Sequence, residues 1–193
     1  CVGCKVCTIA CPFGTVNFLH YSGYFAEDDK VQGFSHVHLH GAGATDYGVL
    51  SVMPVAAFDP AKTSVVDYET RFAKADEHAA AGRYEVTFVN GIKAELTSTT
   101  HAGVHRYTGA GAVVIDLGKT LSGGEIDAAS IDVGAAEITG QLHHLGGMSG
   151  GFGGYTIYFV IRGAWTSAQT WSDASAPSSA TTASGTGVGA ALE

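Results

Sequence analysis

Cys1, Cys4, Cys7 and Cys11 stand in a C-x2-C-x2-C-x3-C run with Pro12 directly behind the last. Thiolates at this spacing reach three corners of one iron–sulfur cubane, while the fourth, ahead of the proline, turns away toward a second cluster. No other cysteine follows in the sequence. The run therefore offers three ligands to one site and one stray thiol, and a 4Fe-4S cluster bound here is short of a ligand. The remainder of the chain has neither thiol chemistry nor disulfides.

A second group able to do chemistry is "FSHVHLHG", with His36, His38 and His40 two residues apart. On an extended strand all three project from one face. Imidazoles so placed can converge on zinc, or line a polar groove that hydrogen-bonds loops or a ligand. No carboxylate or cysteine sits nearby at ligand spacing, which favours the groove. "HLGGMSGGFGGY" has the glycines of a phosphate loop but not its Lys-Ser/Thr, and no strand-to-helix passage, so it reads as a flexible turn between strands. The adjacent His143 and His144 fall on opposite faces of a strand and cannot serve one site. The carboxylates are scattered, and no acid/base pair declares itself.

These residues need elements to hold them. "RYEVTFVNGIKAELTST" alternates apolar and polar residues with period 2, as a half-buried hairpin does. A two-residue Asn90-Gly91 turn would set Phe88 opposite Lys93 and mix the faces. A three-residue loop over 89–91 pairs Phe88 with Ile92, Val86 with Ala94 and Tyr84 with Leu96, and puts Gly91 in the left-handed position. Further strands are expected at 35–39, 49–53, 104–108, 112–117, 130–133, 137–143 and 155–162, with Tyr155, Ile157, Phe159 and Ile161 lining one face. "RFAKADEHAAAG" reads as a turn or two of helix closed by Gly82. Residues 166–187, rich in Ser, Thr, Ala and Gly, read as a loop. Many short strands with frequent turn signals predict an all-β fold, an antiparallel β-sandwich led by a short irregular cysteine segment.

Hydrophobic residues make up 46% of the 193 and charged residues 15%, which supports a folded core over disorder. A net charge of −8 with no basic patch argues against nucleic acid or an anionic membrane surface as partner. No apolar run has the length of a membrane span. The chain starts at Cys1 and stops at "GVGAALE" while still reading like a strand, so it is expected to be a fragment.

Two resemblances follow from these stretches. Residues 1–16, "CVGCKVCTIACPFGTV", resemble the cysteine motif of bacterial 4Fe-4S ferredoxins. From residue 21 onward the chain resembles the N-terminal domain of glycoside hydrolase family 92, the bacterial calcium-dependent α-mannosidases. "GFSHVHLHGAGATDYGVLSVMP" is similar to that family's G-F-S-H-T-H-L-S-G-T-G…D-x-G-D-x-L-x-M-P, with His40 where the family usually has Ser. "YSGYFAEDDKVQGFSH", "GRYEVTFVNGIKAELTSTTHAGVHRYT", "VVIDLG", "ITGQLHHLGGMSGGFGGYTIYFV" and the closing "VGAALE" occur in the family's order. "PFG" at 12–14 belongs to both patterns and marks their seam. The expected organisation is a cysteine segment over 1–18, not a domain by itself, and an incomplete sandwich over 19–193.

The family resemblance implies a sandwich packed on a C-terminal (α/α)6 barrel that carries the catalytic acid and base and the calcium. It implies an exo-acting, inverting α-mannosidase acting on mannose-containing glycans, periplasmic or secreted. A fragment without the barrel is expected to be inactive. Its contribution to the sugar pocket would be a rim, with His36 and His38, then Tyr24 and Asp46, as the residues contacting sugar; these types hydrogen-bond hydroxyls and stack on pyranose faces. The alternatives are an iron–sulfur electron-transfer protein using Cys1, Cys4, Cys7 and Cys11, and a non-catalytic carbohydrate-binding module.

Overall fold

The structure, a computed structural model, describes residues 17–18, 29–38, 46–120 and 123–193. Cys1, Cys4, Cys7, Cys11, Tyr24 and His40 lie outside the described residues, as does the side chain of His38.

The strands in chain order are β1 (Asn17–Phe18), β2 (Lys30–Val31), β3 (Phe34–Ser35), β4 (Val37–His38), β5 (Tyr47–Val49), β6 (Ser51–Val55), β7 (Thr70–Ala80), β8 (Arg83–Phe88), β9 (Lys93–Ser98) and β10 (Gly103–Thr108). Then come β11 (Ala112–Asp116), β12 (Glu125–Val133), β13 (Glu137–Leu145), β14 (Tyr155–Arg162), β15 (Ala168–Ser172), β16 (Ser175–Ser178), β17 (Thr182–Gly185) and β18 (Gly189–Leu192). A short helix α1 (Val65–Tyr68) and a 3-10 turn at Ser149–Phe152 interrupt them. All the pairings are antiparallel. The expected all-β antiparallel fold is what forms.

Its arrangement goes beyond a two-layer sandwich. A seven-stranded sheet, β1-β3-β6-β11-β18-β15-β16, has a core on each face. Phe34, Met53, Val114, Trp171 and Ala191 of this sheet pack with Phe72, Tyr84, Val86, Phe88 and Leu96 of the five-stranded sheet β10-β9-β8-β7-β2. Ile115, Leu117, Val188, Ala190 and Leu192 pack with Ile126, Ile131, Val133, Ile138 and Leu142, most of them from the four-stranded sheet β14-β13-β12-β17. A strand covered on both sides loses its alternation, so "AVVIDL" and "VGAAL" are apolar at successive positions. Each large aliphatic so buried contributes about 1.5–3 kcal/mol.

The hairpin of β8 and β9 has the expected register: Tyr84 faces Leu96, Val86 faces Ala94, and the Phe88 N–H donates to the Ile92 carbonyl at 2.8 Å. Gly91 closes it at φ 84°. β14 points Tyr155, Ile157, Phe159 and Ile161 to one side, as its alternation requires.

Three expectations are corrected. The "RFAKADEHAAAG" stretch is strand β7, and not helix: Ala79 pairs with Tyr84, Ala80 with Arg83, and Gly82 at φ 77° turns the chain back. Good helix formers yield here to the ladder offered by β8 and to the burial of Phe72. Residues 166–187 are not a loop, since β15, β16 and β17 form there; Thr170 and Trp171 are buried, and β15 pairs with β18. The strand expected over 35–39 is broken at His36, with β3 in the seven-stranded sheet and β4 pairing with β5 instead.

Candidate functional site

The break at His36 begins with a hydroxyl. The Ser35 Oγ donates to the Val49 carbonyl at 2.5 Å and accepts the Val37 N–H at 3.1 Å, a local side-chain-to-backbone bond that competes with the ladder. The chain bends there, and the His36 ring turns onto β10. Its Nε2 lies 2.6 Å from Nε2 of His105, whose Nδ1 lies 2.6 Å from the Tyr107 hydroxyl. The His36 and His105 rings are 4.8 Å apart, and the edge of Phe34 closes on His105. Gly103 makes room: a Cβ there would sit 2.2 Å from Cδ2 of His36.

Burial holds the His105 pKa down at about 3, helped by the neighbouring His36, so this imidazole is neutral at physiological pH. Burial also raises the Tyr107 phenol, which keeps its proton. His36 Nδ1 is shielded from solvent. Neither ring nitrogen of His36 is therefore offered to solvent.

The other end of the segment is held as firmly. Asp46, 7% exposed, takes the Met148 N–H at 3.1 Å, the Ser149 N–H at 3.2 Å and the Ser149 hydroxyl on its carboxylate. The Ser149 hydroxyl, then its N–H and that of Met148, hold this carboxyl below the usual range against the opposing effect of burial. Next to it Tyr47 and Leu50 adopt left-handed backbone angles, φ 65° and 61°, a strain that concentrates beside functional segments. The Tyr47 N–H donates to the Tyr155 hydroxyl at 2.6 Å, and the two rings stack at 4.5 Å. His144, fully buried, must donate Nε2–H to the Gly123 carbonyl, so its Nδ1 accepts the Tyr155 proton at 2.7 Å.

The glycine-rich turn at 146–154 is thus gripped rather than loose. Asp46 holds one side, and His143 donates to the Gly153 carbonyl on the other at 3.0 Å. The second nitrogen of His143 meets Asp127 at 2.6 Å, and this bond raises its pKa. His143 and His144 do point to opposite sides, and they serve different partners.

Of the residues expected at a sugar site, His36 and Asp46 mark the two ends of the 36–46 segment. The backbone of His38 pairs with Tyr47. Asp46 already spends both oxygens on the glycine-rich turn, so it acts through that turn. Not anticipated from the sequence were His105, Tyr107, Ser149, His144 and Tyr155. Two surface clefts, one around Ser130, Asp132 and Ser184 and one around Asp116, Lys119 and Asp173, include none of the described residues of this segment. Among the described residues no group of three or more His, Cys, Asp or Glu could hold a metal ion, and no helix is long and apolar enough to cross a membrane.

Comparison with known proteins places this geometry. Residues 7–193 match the glycosyl hydrolase family 92 N-terminal domain, a span that begins upstream of the expected residue 21 and includes Cys7 and Cys11. The family 92 glycosyl hydrolase ccman5 superposes with a TM-score of 0.73 at 26% identity, over 90% of this chain and 25% of that one. The family 92 α-mannosidase BT3965 from Bacteroides thetaiotaomicron, in complex with mannoimidazole, superposes with a TM-score of 0.74 at 25% identity, over 89% of this chain and 25% of its own. An uncharacterized secreted glycosidase from Arthroderma benhamiae is 30% identical over 93 residues, 46% of this chain and 12% of its own length. The chain thus spans about a quarter of the solved relatives and less of the curated one. A match over nearly the whole sequence, together with the shared fold, shows that the chain belongs to glycosyl hydrolase family 92, as its N-terminal domain.

Proposed function

We propose that this chain is the β-sandwich part of an exo-acting, inverting α-mannosidase, and that it rims the mannose pocket of a C-terminal (α/α)6 barrel. The observation that carries the reading is the family match over residues 7–193, joined to a solved neighbour whose complex contains mannoimidazole. The rim in this reading includes the family-like His36 and His38, with Tyr24 as a further sugar contact; Asp46 bonds to the glycine-rich turn. An inverting hydrolase needs an acid and a base separated by room for water. In this reading both groups belong to the barrel.

Calcium belongs there too. Ca2+ takes six to eight oxygen ligands, several of them carboxylates, and the family resemblance assigns them to the barrel. The chain's own contribution is shape and hydrogen bonding. The destination is periplasmic or secreted, in keeping with the secreted relative.

Incubated alone with α-mannosides and calcium, the 193-residue chain is expected to release no mannose. Calcium-dependent turnover by the isolated chain overturns the reading. Anaerobic reconstitution with iron and sulfide tests the electron-transfer alternative, where a stoichiometric, redox-active cluster on Cys1, Cys4, Cys7 and Cys11 would displace the mannosidase.

A further inference from the structure

We propose that Tyr107 and His105 are positioning residues that impose the Nδ1-protonated tautomer on His36 and so hold the start of segment 36–46 in one orientation. The role in sugar recognition rests on the reading above; the positioning itself rests on geometry alone. The Nε2 atoms of His36 and His105 are 2.6 Å apart, so one proton lies between them. The hydrogen bond that Tyr107 makes among the described residues goes to His105 Nδ1. A phenol buried in apolar surroundings must place its proton on an acceptor, and His105 Nδ1 is the acceptor it meets.

The direction of every proton in the chain follows. Tyr107 donates to His105 Nδ1. His105, neutral, then carries its proton on Nε2 and donates it to His36 Nε2. His36 is left with its proton on Nδ1. The direction of the line is set at its Tyr107 end, where the phenol has a proton to give and His105 Nδ1 accepts it. The fixed tautomer of a histidine is set in this way by what its other nitrogen bonds.

Two further features serve the same ring. Gly103 leaves the space it occupies, since a Cβ would come within 2.2 Å. His105 and Tyr107, two apart on β10, present their side chains on the face that meets it. All three come from one strand of the five-stranded sheet, while His36 follows β3 of the seven-stranded sheet. The chain of bonds therefore ties His36 across the sandwich.

Ring 15N NMR of the 193-residue chain at neutral pH tests this. Expected are unprotonated resonances for His105 Nδ1 and His36 Nε2, protonated ones for His105 Nε2 and His36 Nδ1, and a scalar coupling across the N–H···N bond. Tyr107→Phe removes the first donor and should give a mixture of tautomers at both rings. His105→Gln, whose amide still donates, should keep His36 protonated on Nδ1. A wild-type His36 protonated on Nε2, or tautomers unmoved by Tyr107→Phe, overturns the inference; where a variant does not fold, the wild-type spectrum decides. The readout is a protonation pattern and not turnover. A failed mannosidase reading leaves it standing, and a reversed tautomer leaves that reading intact.

Discussion

His105 carries the clearest consequence of burial at a single residue. Its pKa falls from 6.5 to about 3 in the folded chain, with burial as the first cause, so the unfolded chain binds more protons between those values. Stability is then complete above pH 6.5 and declines as pH drops toward 3, by up to ~1.4 kcal/mol per pH unit from this group. His143 works in the opposite sense, because its bond to Asp127 raises its pKa; its contribution is present below 6.5 and lost as pH rises through the folded value. Asp46, held low by Ser149, adds acid sensitivity only beneath about the ordinary carboxylate value of 3.8. Urea midpoints measured from pH 7 to 4 should fall for the wild type, and His105→Phe should flatten the fall. An unchanged slope in that variant means another group is responsible. The alternation of His105 and Tyr107 in "GVHRYT" marks them as sharing a strand face. That His36, distant in sequence, meets His105 is invisible without the fold.

Among the elements, the β8–β9 hairpin shows local chemistry deciding structure by itself. Gly91 takes φ 84° with open space around its missing Cβ, so Gly91→Ala should cost only backbone strain, about 1 kcal/mol, read as a lowered denaturation midpoint. A loss well above 2 kcal/mol would point to contacts the turn does not have. The glycine-rich turn is the reverse case. Read by composition it is a flexible connector, yet Asp46 and His143 hold its backbone from both sides. Asp46→Ala should speed amide exchange at Met148, Ser149 and their neighbours by hydrogen-exchange mass spectrometry, leaving the β8–β9 hairpin protected. Exchange unchanged at 146–154 would show that other bonds hold the turn. Strand β7 makes the same point, since its Ala, Glu and Lys favour helix until β8 supplies a ladder.

For the whole molecule, β18 is the strand on which both cores depend. It pairs with β11 on one side and β15 on the other, and Ala191 faces one core while Ala190 and Leu192 face the second. A chain ending at Val188 should show no cooperative thermal transition by circular dichroism, because it opens the middle of the seven-stranded sheet. A sharp transition in that variant would mean that each outer sheet folds with its half alone. The sequence by itself determined the all-β class, the hairpin register, the strand faces of β14 and the family-like order of motifs. These depend on period-2 alternation and turn residues within a few positions of one another. Only the tertiary structure decided that a shared middle sheet carries two cores, that strands form within 166–187, and that His36 meets His105 while Asp46 bonds to Met148 and Ser149. Each of those depends on partners far along the chain, and a hydrogen bond or a packed face exists only once folding has brought both halves together.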